Sequence, residues 1–541
     1  MDTAPSLGHP RRWLILGVLV VSLLVVILDT TVLNVALRVI ADPQHGLGAT
    51  QSDLEWATNS YTLVFAGLLF TWGVLGDRLG RKKILLLGLV LFGIASVASA
   101  YAQTPGQLIA ARGLMGVGGA AVLPATLAII SNVFDPRERA RAIGTWAGAV
   151  GLGVAAGPVI GGLLLEHFWW GSVFLLNVPV VLVGLAAILA VVPDSRDPRP
   201  GRIDLAGVLL SIAGLGLLVY GIINGGEHGF GQPRSWGTLA AGVLLLAVFV
   251  LVERRVRYPS LDVTLFSNPR FSAAVASIGL VFFAAMGTFF FMAFYLQLVR
   301  GYSPLEAGLM TTPFAVAQLV FAPRSAAMVR RFGPKAVCAV GLGLVTLGLA
   351  GFFLVDATTP VWVLGGLFFL QGAGMANVMP PATEAIMSTL PREKAGVGSA
   401  VGNTIRQVGG ALGIAVLGSV LAAVYRSGIQ DKVGALPAAA RGAARESISG
   451  AYATAQHLGG AGRDLVGTAN TAFIDAMHAA AAGSVVVALI GLVVVLAWLP
   501  RRAVIQPAAP EGAPSADRVP APARAAASAG TPADEWELAE A

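Results

Sequence analysis

Residues 73–83 read GVLGDRLGRKK and lie between two long apolar stretches of the chain. Gly73 and Gly80 permit a close approach of the backbone and a tight turn. Asp77 stands among four basic residues, which are Arg78, Arg81, Lys82 and Lys83. A short basic loop between apolar stretches is typical of the cytoplasmic loops of multispan membrane proteins. The stretch therefore predicts a cationic turn between two membrane helices.

The composition of the whole chain also indicates a membrane protein. Of its 541 residues, 56% are hydrophobic and 12% are charged, whereas an ordinary soluble protein carries roughly 25% charged residues. A bilayer core about 30 Å thick needs roughly 20 apolar residues per helical crossing. Such stretches recur from Trp13 to Pro500. We therefore predict an all-α polytopic protein whose main solvent is the lipid bilayer.

The apolar stretches predict about fourteen transmembrane helices. They lie near residues 13–37, 54–75, 84–102, 106–132, 142–165, 172–192, 204–224, 237–253, 272–299, 305–328, 336–355, 361–387, 397–424 and 475–499. With a cytoplasmic N-terminus, basic residues concentrate in every second loop, at residues 78–83, 137–141, 196–202, 254–270, 330–335, 392 and 394. The alternate short loops hold only Arg38, Arg234 and Arg300. The positive-inside rule then predicts that both termini are cytoplasmic.

An internal repeat divides the predicted helices into two halves. The string MGVG at 115–118 precedes Pro124 by the same interval at which QGAG at 371–374 precedes Pro380. Halves of this kind are the sequence sign of a rocking transporter with its site at their interface. The predicted domains are an N-terminal six-helix bundle (1–195), an inserted helix hairpin (196–260), a C-terminal six-helix bundle (261–500) with a long outer loop (425–470), and a disordered cytoplasmic tail (501–541).

The sequence argues against an enzyme or a nucleic-acid binder. Its net charge of +7 is spread over short clusters, whereas a DNA-binding protein gathers Lys and Arg on one surface. Cys338 is the single cysteine, which excludes an intramolecular disulfide and a metal site of several cysteines. No P-loop, zinc-protease or hydrolase-elbow string occurs. We therefore expect no cofactor, no metal and no direct use of ATP.

Three further strings carry a resemblance: LDTTVLNVAL at 28–37, GVAAGPVIGG at 153–162 and FLLNVP at 174–179. With the loop at 73–83, they resemble the major facilitator superfamily, and within it the fourteen-spanner drug:proton antiporters of the EmrB/QacA type. The resemblance implies two six-helix bundles, alternating access and export driven by proton entry. The chain departs from the family at Met115, where Gln is usual, and at Asn403, where Asp is frequent. The second departure removes one candidate proton carrier.

Asp29 and Arg112 are the charges that we expect to couple transport to protons. With about 1.5 Å of rise per residue, Asp29 lies about 6 Å and Arg112 about 10 Å below the same membrane face. A lone charge there costs at least ~2.5 kcal/mol, so the two should face each other or a wet cavity. The hypothesis is that Asp29 gains and loses the transported proton as its distance from Arg112 changes. A permanent structural ion pair is the alternative.

The loop at 73–83 has two interpretations. The family resemblance implies that contacts of Asp77 form a latch that holds one conformation and breaks in the other. Asp77 is placed to pair with Arg81 or to cap a neighbouring helix. The members of this predicted latch are Gly73, Asp77, Arg78, Gly80 and Arg81. Alternatively, the basic residues only anchor the loop in the cytoplasm.

The fifth predicted span carries glycines at fourth-residue spacing, Gly153, Gly157 and Gly161, followed by Gly162. Glycines on one helix face let two backbones touch. Pro158 removes a hydrogen bond from the helix interior and bends the helix. We expect a gating helix, and tight packing without gating is the alternative.

A cavity for a lipophilic, aromatic or cationic solute is expected from residues that stack on rings or bind cations. The candidates are Asn34, Trp56, Tyr61, Phe290, Tyr295, Glu384 and Arg406. Interfacial belts are the commoner use of Trp and Tyr. Alternatively, Glu384 reaches the lipid headgroups. Arg406 could instead pair with Glu384 or bind the carbonyl groups of neighbouring helices.

Taken together, these residues and the resemblance predict a proton-coupled antiporter of a bacterial plasma membrane. Its expected partners are small lipophilic substrates, protons and the bilayer, without nucleic acid. Multidrug or antibiotic efflux is the first hypothesis. A dedicated exporter of a single metabolite or antibiotic is the second, and a membrane receptor that transports nothing is the third.

Overall fold

The computed structural model describes residues 9–196, 204–256, 259, 261–390, 395–434, 438–456, 458 and 460–500. Within these ranges the chain is helical and contains no β-strand. The helices are α1 (Arg12–Ala41), α2 (Gln51–Leu79), α3 (Arg81–Ala100), α4 (Pro105–Val133), α5 (Pro136–His167), α6 (Ser172–Leu175), α7 (Asn177–Val191), α8 (Leu205–His228), α9 (Pro233–Glu253), α10 (Pro269–Phe294), α11 (Pro304–Met310), α12 (Thr312–Phe332), α13 (Pro334–Gly351), α14 (Val361–Ser388), α15 (Ala395–Ile429), α16 (Ala438–Glu446), α17 (Ile448–Ala455) and α18 (Gly460–Trp498). The predicted tail (501–541) lies outside the described residues.

The number of crossings agrees with the prediction. By length and composition, 13 stretches of described helix are able to cross a membrane, and one of them, Ser172–Val191, joins α6 to α7. The helix α5 is not among them, but it has 32 residues and an apolar second half at Leu152–His167. The 13 stretches plus α5 give fourteen crossings. The predicted all-α polytopic fold is therefore confirmed.

Two glycines in the left-handed region terminate helices at equivalent points of the repeat. Gly80 (φ +115°) separates α2 from α3, and Gly333 (φ +83°) separates α12 from α13. Glycine adopts such angles without a steric penalty. We call the face of the bundle that carries these two turns the motif face. The opposite face carries the connection between α1 and α2, where Thr50 and Asp53 form a capping box.

The inserted hairpin lies along the seam between the halves. The helices α8 and α9 pack on each other, and α8 also contacts α2 of the first half and α15 of the second half. Glycines make this close packing possible, because a Cβ at Gly221 would lie 2.7 Å from the Leu239 side chain. The hairpin is therefore attached to both halves rather than to one.

The predicted outer loop (425–470) is mostly helical. The helix α15 extends to Ile429, α16 and α17 follow, and α18 begins at Gly460. The loop is rich in Ala, the strongest helix former, which favours helices here. The hydroxyl of Tyr452 in α17 donates to the Leu298 carbonyl oxygen at 2.7 Å and lies 2.9 Å from the side-chain amide of Asn470. These contacts attach the segment to the second half on the opposite face.

Candidate functional site

Asp29 and Arg112 are in direct contact inside the first half. The helix α1 carries Asp29 and α4 carries Arg112. Arg112 Nη1 donates to Asp29 Oδ2 at 2.5 Å, and each side chain is 1% exposed. Losing one partner of a buried pair costs about 3–5 kcal/mol, because the other charge is then uncompensated. The pair therefore holds α1 against α4 as long as both groups are charged.

The second oxygen of Asp29 has a different donor. Asn177 Nδ2, at the start of α7, donates to Asp29 Oδ1 at 3.2 Å and to Ser96 Oγ at 3.0 Å. Ser96 Oγ in turn donates to the Phe174 carbonyl oxygen at 2.7 Å. Each oxygen of the carboxylate thus accepts a hydrogen bond from a different helix. A movement of α4 away from α1 would free one oxygen while the other stays bonded.

Arg112 is enclosed by groups from α2 and from its own helix. Its Nε donates to the Ala57 carbonyl oxygen at 3.2 Å, and its guanidinium lies 4.5 Å from the centre of the Tyr61 ring. Met115 Sδ accepts from Arg112 Nη1 at 3.6 Å. The thioether thus occupies the place where the resembled family usually has Gln. A guanidinium over an aromatic face gains about 2 kcal/mol or more where water is excluded.

The glycines of α5 pack against the segment of α1 that carries Asp29. A Cβ at Gly157 would lie 1.8 Å from Thr31 Oγ1, and one at Gly153 would lie 2.8 Å from the Ile27 side chain. Contacts under 3.0 Å require a displacement, so only glycine fits these positions. Gly161 makes the same close approach to Val32. The side chains of Ile27, Thr31 and Val32 therefore pack directly on the α5 backbone, before and after Asp29 in the chain.

The same helix also contacts the second half. A Cβ at Gly162 would lie 2.5 Å from Leu305 Cα, and a Cβ at Gly308 would lie 2.2 Å from the Pro158 carbonyl oxygen. Both contacts lie toward the opposite face. The helix α5 thus connects the Asp29 segment of one half to α11 of the other half.

The turn at the motif face contains the expected ion pair. Arg81 Nη2 lies 3.0 Å from Asp77 Oδ1, and Arg81 Nη1 donates to the Ala128 carbonyl oxygen of α4 at 3.4 Å. Gly73 faces the Pro124 side chain, with 3.8 Å between its hypothetical Cβ and Pro124 Cβ. The turn therefore joins α2 and α3 to the motif-face end of α4, the helix that carries Arg112.

Comparison with known protein families matches residues 19–414 to the family described as Major Facilitator Superfamily. The chain belongs to the major facilitator superfamily.

Curated relatives align with 78% to 88% of the chain. It is 36% identical to the "Multidrug efflux pump LfrA" of Mycolicibacterium smegmatis, over 88% of this chain and 96% of the relative. It is 37% identical to the "Tetracenomycin C resistance and export protein" of Streptomyces glaucescens, over 78% of each chain. It is 36% identical to the "Methyl viologen resistance protein SmvA" of Salmonella typhimurium, over 78% of this chain and 85% of the relative.

Solved structures give the same fold. One is the crystal structure of a bacterial homolog to the human lysosomal transporter Spinster, in an inward-facing and unoccupied conformation. It matches with a TM-score of 0.65 at 18% identity, over 92% of this chain and 99% of that chain. At this identity the likeness concerns the fold alone. The family match and the curated relatives make the chain a multi-pass membrane transporter rather than an enzyme.

The predicted cavity residues lie in several surroundings, and two of them, Tyr61 and Arg406, are close enough to interact electrostatically. Tyr61 lies beside Arg112, whereas Trp56 lies 6.2 Å from Tyr220 of the inserted hairpin, between ring centres. Arg406 is partly buried, with its guanidinium 5.6 Å from the centre of the Phe282 ring. Neither of the two best-defined cavities is lined by a predicted cavity residue.

The other predicted cavity residues lie elsewhere. Phe290 and Tyr295 are fully buried in helix packing, and the Tyr295 hydroxyl donates to the Asp356 carbonyl oxygen at 2.6 Å on the opposite face. Asn34 is partly buried and Glu384 is exposed. Among the ion pairs of the described residues, none joins Glu384 to Arg406.

Two groups of the site were not singled out from the sequence. Asn177 and Ser96 complete the surroundings of Asp29, although the string FLLNVP already contains the asparagine. A buried amide within an apolar span is itself a signal, because polar groups inside a membrane are costly unless they are bonded. Asn59, fully buried with both side-chain polar atoms lacking a partner among the described residues, carries the same signal.

Proposed function

We propose that this chain is a proton-coupled antiporter that exports small lipophilic compounds, in multidrug or antibiotic efflux. The observation that carries the proposal is the buried Asp29–Arg112 pair, whose 2.5 Å contact joins two helices of a superfamily transporter. The names of the relatives, which include drug efflux and resistance, support the class of substrate. The predicted asymmetry of basic loops supports a cytoplasmic motif face in a bacterial plasma membrane.

In the proposed cycle, the charge of Asp29 is compensated alternately by Arg112 and by a proton. While it is bonded to Arg112, the carboxylate needs no proton. When α4 moves relative to α1, the freed oxygen takes up a proton, because an uncompensated buried charge is costly. Helix α5 passes this movement to α11 through its contacts at Pro158 and Gly162. The loop at Asp77 and Arg81 acts as a latch by holding α2 and α3 against α4 in this conformation.

The test is counterflow in proteoliposomes with an imposed pH gradient and a fluorescent lipophilic cation as the probe. The wild-type chain should accumulate the probe against its gradient when the pH gradient is applied. Asp29→Asn should lose this gradient-driven accumulation, while exchange without a pH gradient continues. Asp431→Asn, at an exposed carboxylate beyond α15, is the matched control and should behave as wild type. Gradient-driven accumulation that persists in Asp29→Asn would contradict the proton-carrier role.

A dedicated exporter of one antibiotic is the second candidate, because one relative is named for tetracenomycin C alone. Expression in a drug-sensitive bacterium separates the two. A multidrug pump should raise the inhibitory concentrations of several unrelated lipophilic compounds, whereas a dedicated pump should raise that of one chemical type. Protection against none, with the chain present in the membrane, would contradict both.

A further inference from the structure

A cleft of about 270 Å³, counted with its open mouth, lies on the opposite face where the two halves and the inserted hairpin meet. Its wall combines α2, α8, α15 and α16, through Glu55, Glu227, Arg426 and Glu446 respectively. Three carboxyl groups thus share the cleft with one guanidinium. Arg426 Nη2 donates to the Gly226 carbonyl oxygen of the same cleft.

Glu55 is the deepest of these carboxyl groups. Its residue is 1% exposed, and its Oε2 has no hydrogen-bond partner among the described residues. Its Oε1 accepts a long hydrogen bond from Gln51 Nε2, at 3.4 Å. A Cβ at Gly418 of α15 would lie 2.3 Å from Glu55 Oε1. The carboxyl group is therefore pressed between the first half and the second half at the point where the opposite face is closed.

An ionised carboxylate in this position would have no ion-pair partner among the described residues, because Arg426 attracts it only from beyond ion-pair distance. Burial of a carboxylate without a paired charge costs several kcal/mol, and such a group takes up a proton instead. The other carboxyl groups of the cleft, when they are ionised, repel a negative charge on Glu55. Burial, and then the nearby carboxylates Glu227 and Asp53, raise the pKa of Glu446 above its ordinary value, whereas Arg426 acts in the opposite direction. The cleft as a whole thus favours the proton-bound form while the halves are in contact.

We propose that the carboxyl group of Glu55 is a second proton-binding site, which takes a proton from the solution on the opposite face as the two halves close there. When α2 and α15 separate, Glu55 is hydrated and releases the proton to the same solution. The site is separate from the Asp29–Arg112 pair and does not depend on proton transport through Asp29. Its consequence is that acid on the opposite face stabilises the closed state of that face.

The sign and size of this effect follow from linkage. Closure takes up one proton, so the closed-to-open ratio rises as the pH falls, by at most about tenfold per pH unit. The closed-to-open ratio stops rising near pH 4.3, which is the ordinary pKa of an exposed Glu side chain, because the open state is then protonated as well. The effect is therefore expected at pH values above about 4.3.

The test measures the distance between the halves on the opposite face by pulsed electron spin resonance. Spin labels are placed at Gln103 and Leu354, which are exposed in the loops that follow α3 and α13. The full-length chain carries Cys338→Ala and is reconstituted in lipid nanodiscs. The population with a long distance should shrink as the pH is lowered from 8 to 5. Glu55→Gln should give the short distance at every pH, and Asp431→Asn should respond as wild type.

Further variants separate this proposal from the proposed function. The response to pH should survive in Asp29→Asn, because it belongs to Glu55. A response that is lost in Asp29→Asn but kept in Glu55→Gln would overturn the second site and leave the antiporter proposal intact. If Glu55→Gln does not fold, Glu55→Met replaces it as an uncharged side chain of similar length. A response retained by the neutral variant, or a wild-type distance that is independent of pH, would overturn the inference.

Discussion

At the scale of single residues, the sequence predicted the charged members of the site better than its neutral members. Asp29 and Arg112 stand out because a charge in an apolar span is costly, and helical rise places them at similar depths. Asn177 and Ser96 carry no such cost when they are bonded within the bundle. Their contact with Asp29 depends on how α7 and α3 pack, which a spacing pattern does not specify.

Asn177 is expected to position Asp29. A hydrogen bond to a charged group contributes about 1.5–3 kcal/mol. Because this energy corresponds to a factor of about ten or more, Asn177→Ala should reduce gradient-driven transport by about tenfold or more. Transport by proteoliposomes with an imposed pH gradient measures this effect. Ser131→Ala is the control, because the Ser131 hydroxyl donates only within α4, to the Leu127 carbonyl oxygen at 2.9 Å. Equal rates in the two variants would argue against a role for Asn177.

Tyr61 is expected to act through its ring and not through its hydroxyl. The ring lies 4.5 Å from the guanidinium of Arg112, whereas the hydroxyl oxygen lacks a partner among the described residues. Tyr61→Phe should therefore transport within about twofold of wild type, because the cation–π contact is kept. Tyr61→Ala should lower the free energy of unfolding by about 3–5 kcal/mol, as for a buried aromatic side chain. Thermal unfolding in detergent measures the stability of both variants, and transport assays measure their rates. A Phe variant that is as impaired as the Ala variant would contradict the role of the ring.

At the scale of helices, the pattern of glycines predicted a close approach but not its partner. Fourth-residue spacing in α5 indicates a flat helix face, yet many helices of a fourteen-span bundle could occupy it. The structure places α1 there, with Thr31 and Val32 against Gly157 and Gly161. The choice depends on tertiary packing that involves residues far apart in the chain.

Gly157→Ala is expected to separate α1 from α5. The added methyl group would lie 1.8 Å from Thr31 Oγ1, and overpacking of this kind costs about 1–3 kcal/mol. Transport should fall strongly, and Thr31→Ala in the same chain should restore part of it by removing the hydroxyl. Gly17→Ala is the control, because nothing lies within 4 Å of its Cβ position. The measurement is drug resistance in cells, normalised to the amount of protein in the membrane. Normal resistance with Gly157→Ala would show that the two helices can separate without loss of function.

At the scale of the whole molecule, the repeat and the hydropathy pattern were enough to predict the number of membrane crossings, because each crossing is a local property of about 20 residues. The position of the inserted hairpin was not predictable in this way. Its helix α8 contacts α2 and α15, and these contacts join residues that are distant in the chain, such as Gly67 with Ile212 and Ser419 with Ile222. The cleft at Glu55 exists only because the hairpin lies at this seam, so no local pattern indicated it.

Closure of the opposite face is expected to depend on few polar contacts between the halves. Gln297, in the π-helical turn Tyr295–Val299, donates from Nε2 to the Val35 carbonyl oxygen of α1 at 2.9 Å. A net contribution of about 1 kcal/mol corresponds to about a fivefold change in the closed-to-open ratio. Gln297→Leu should therefore increase the population with a long distance between labels at Gln103 and Leu354. Thr346→Val, which removes a hydrogen bond within α13 alone, should leave the distances unchanged, and an unaltered distribution in Gln297→Leu would mean that apolar packing alone closes this face.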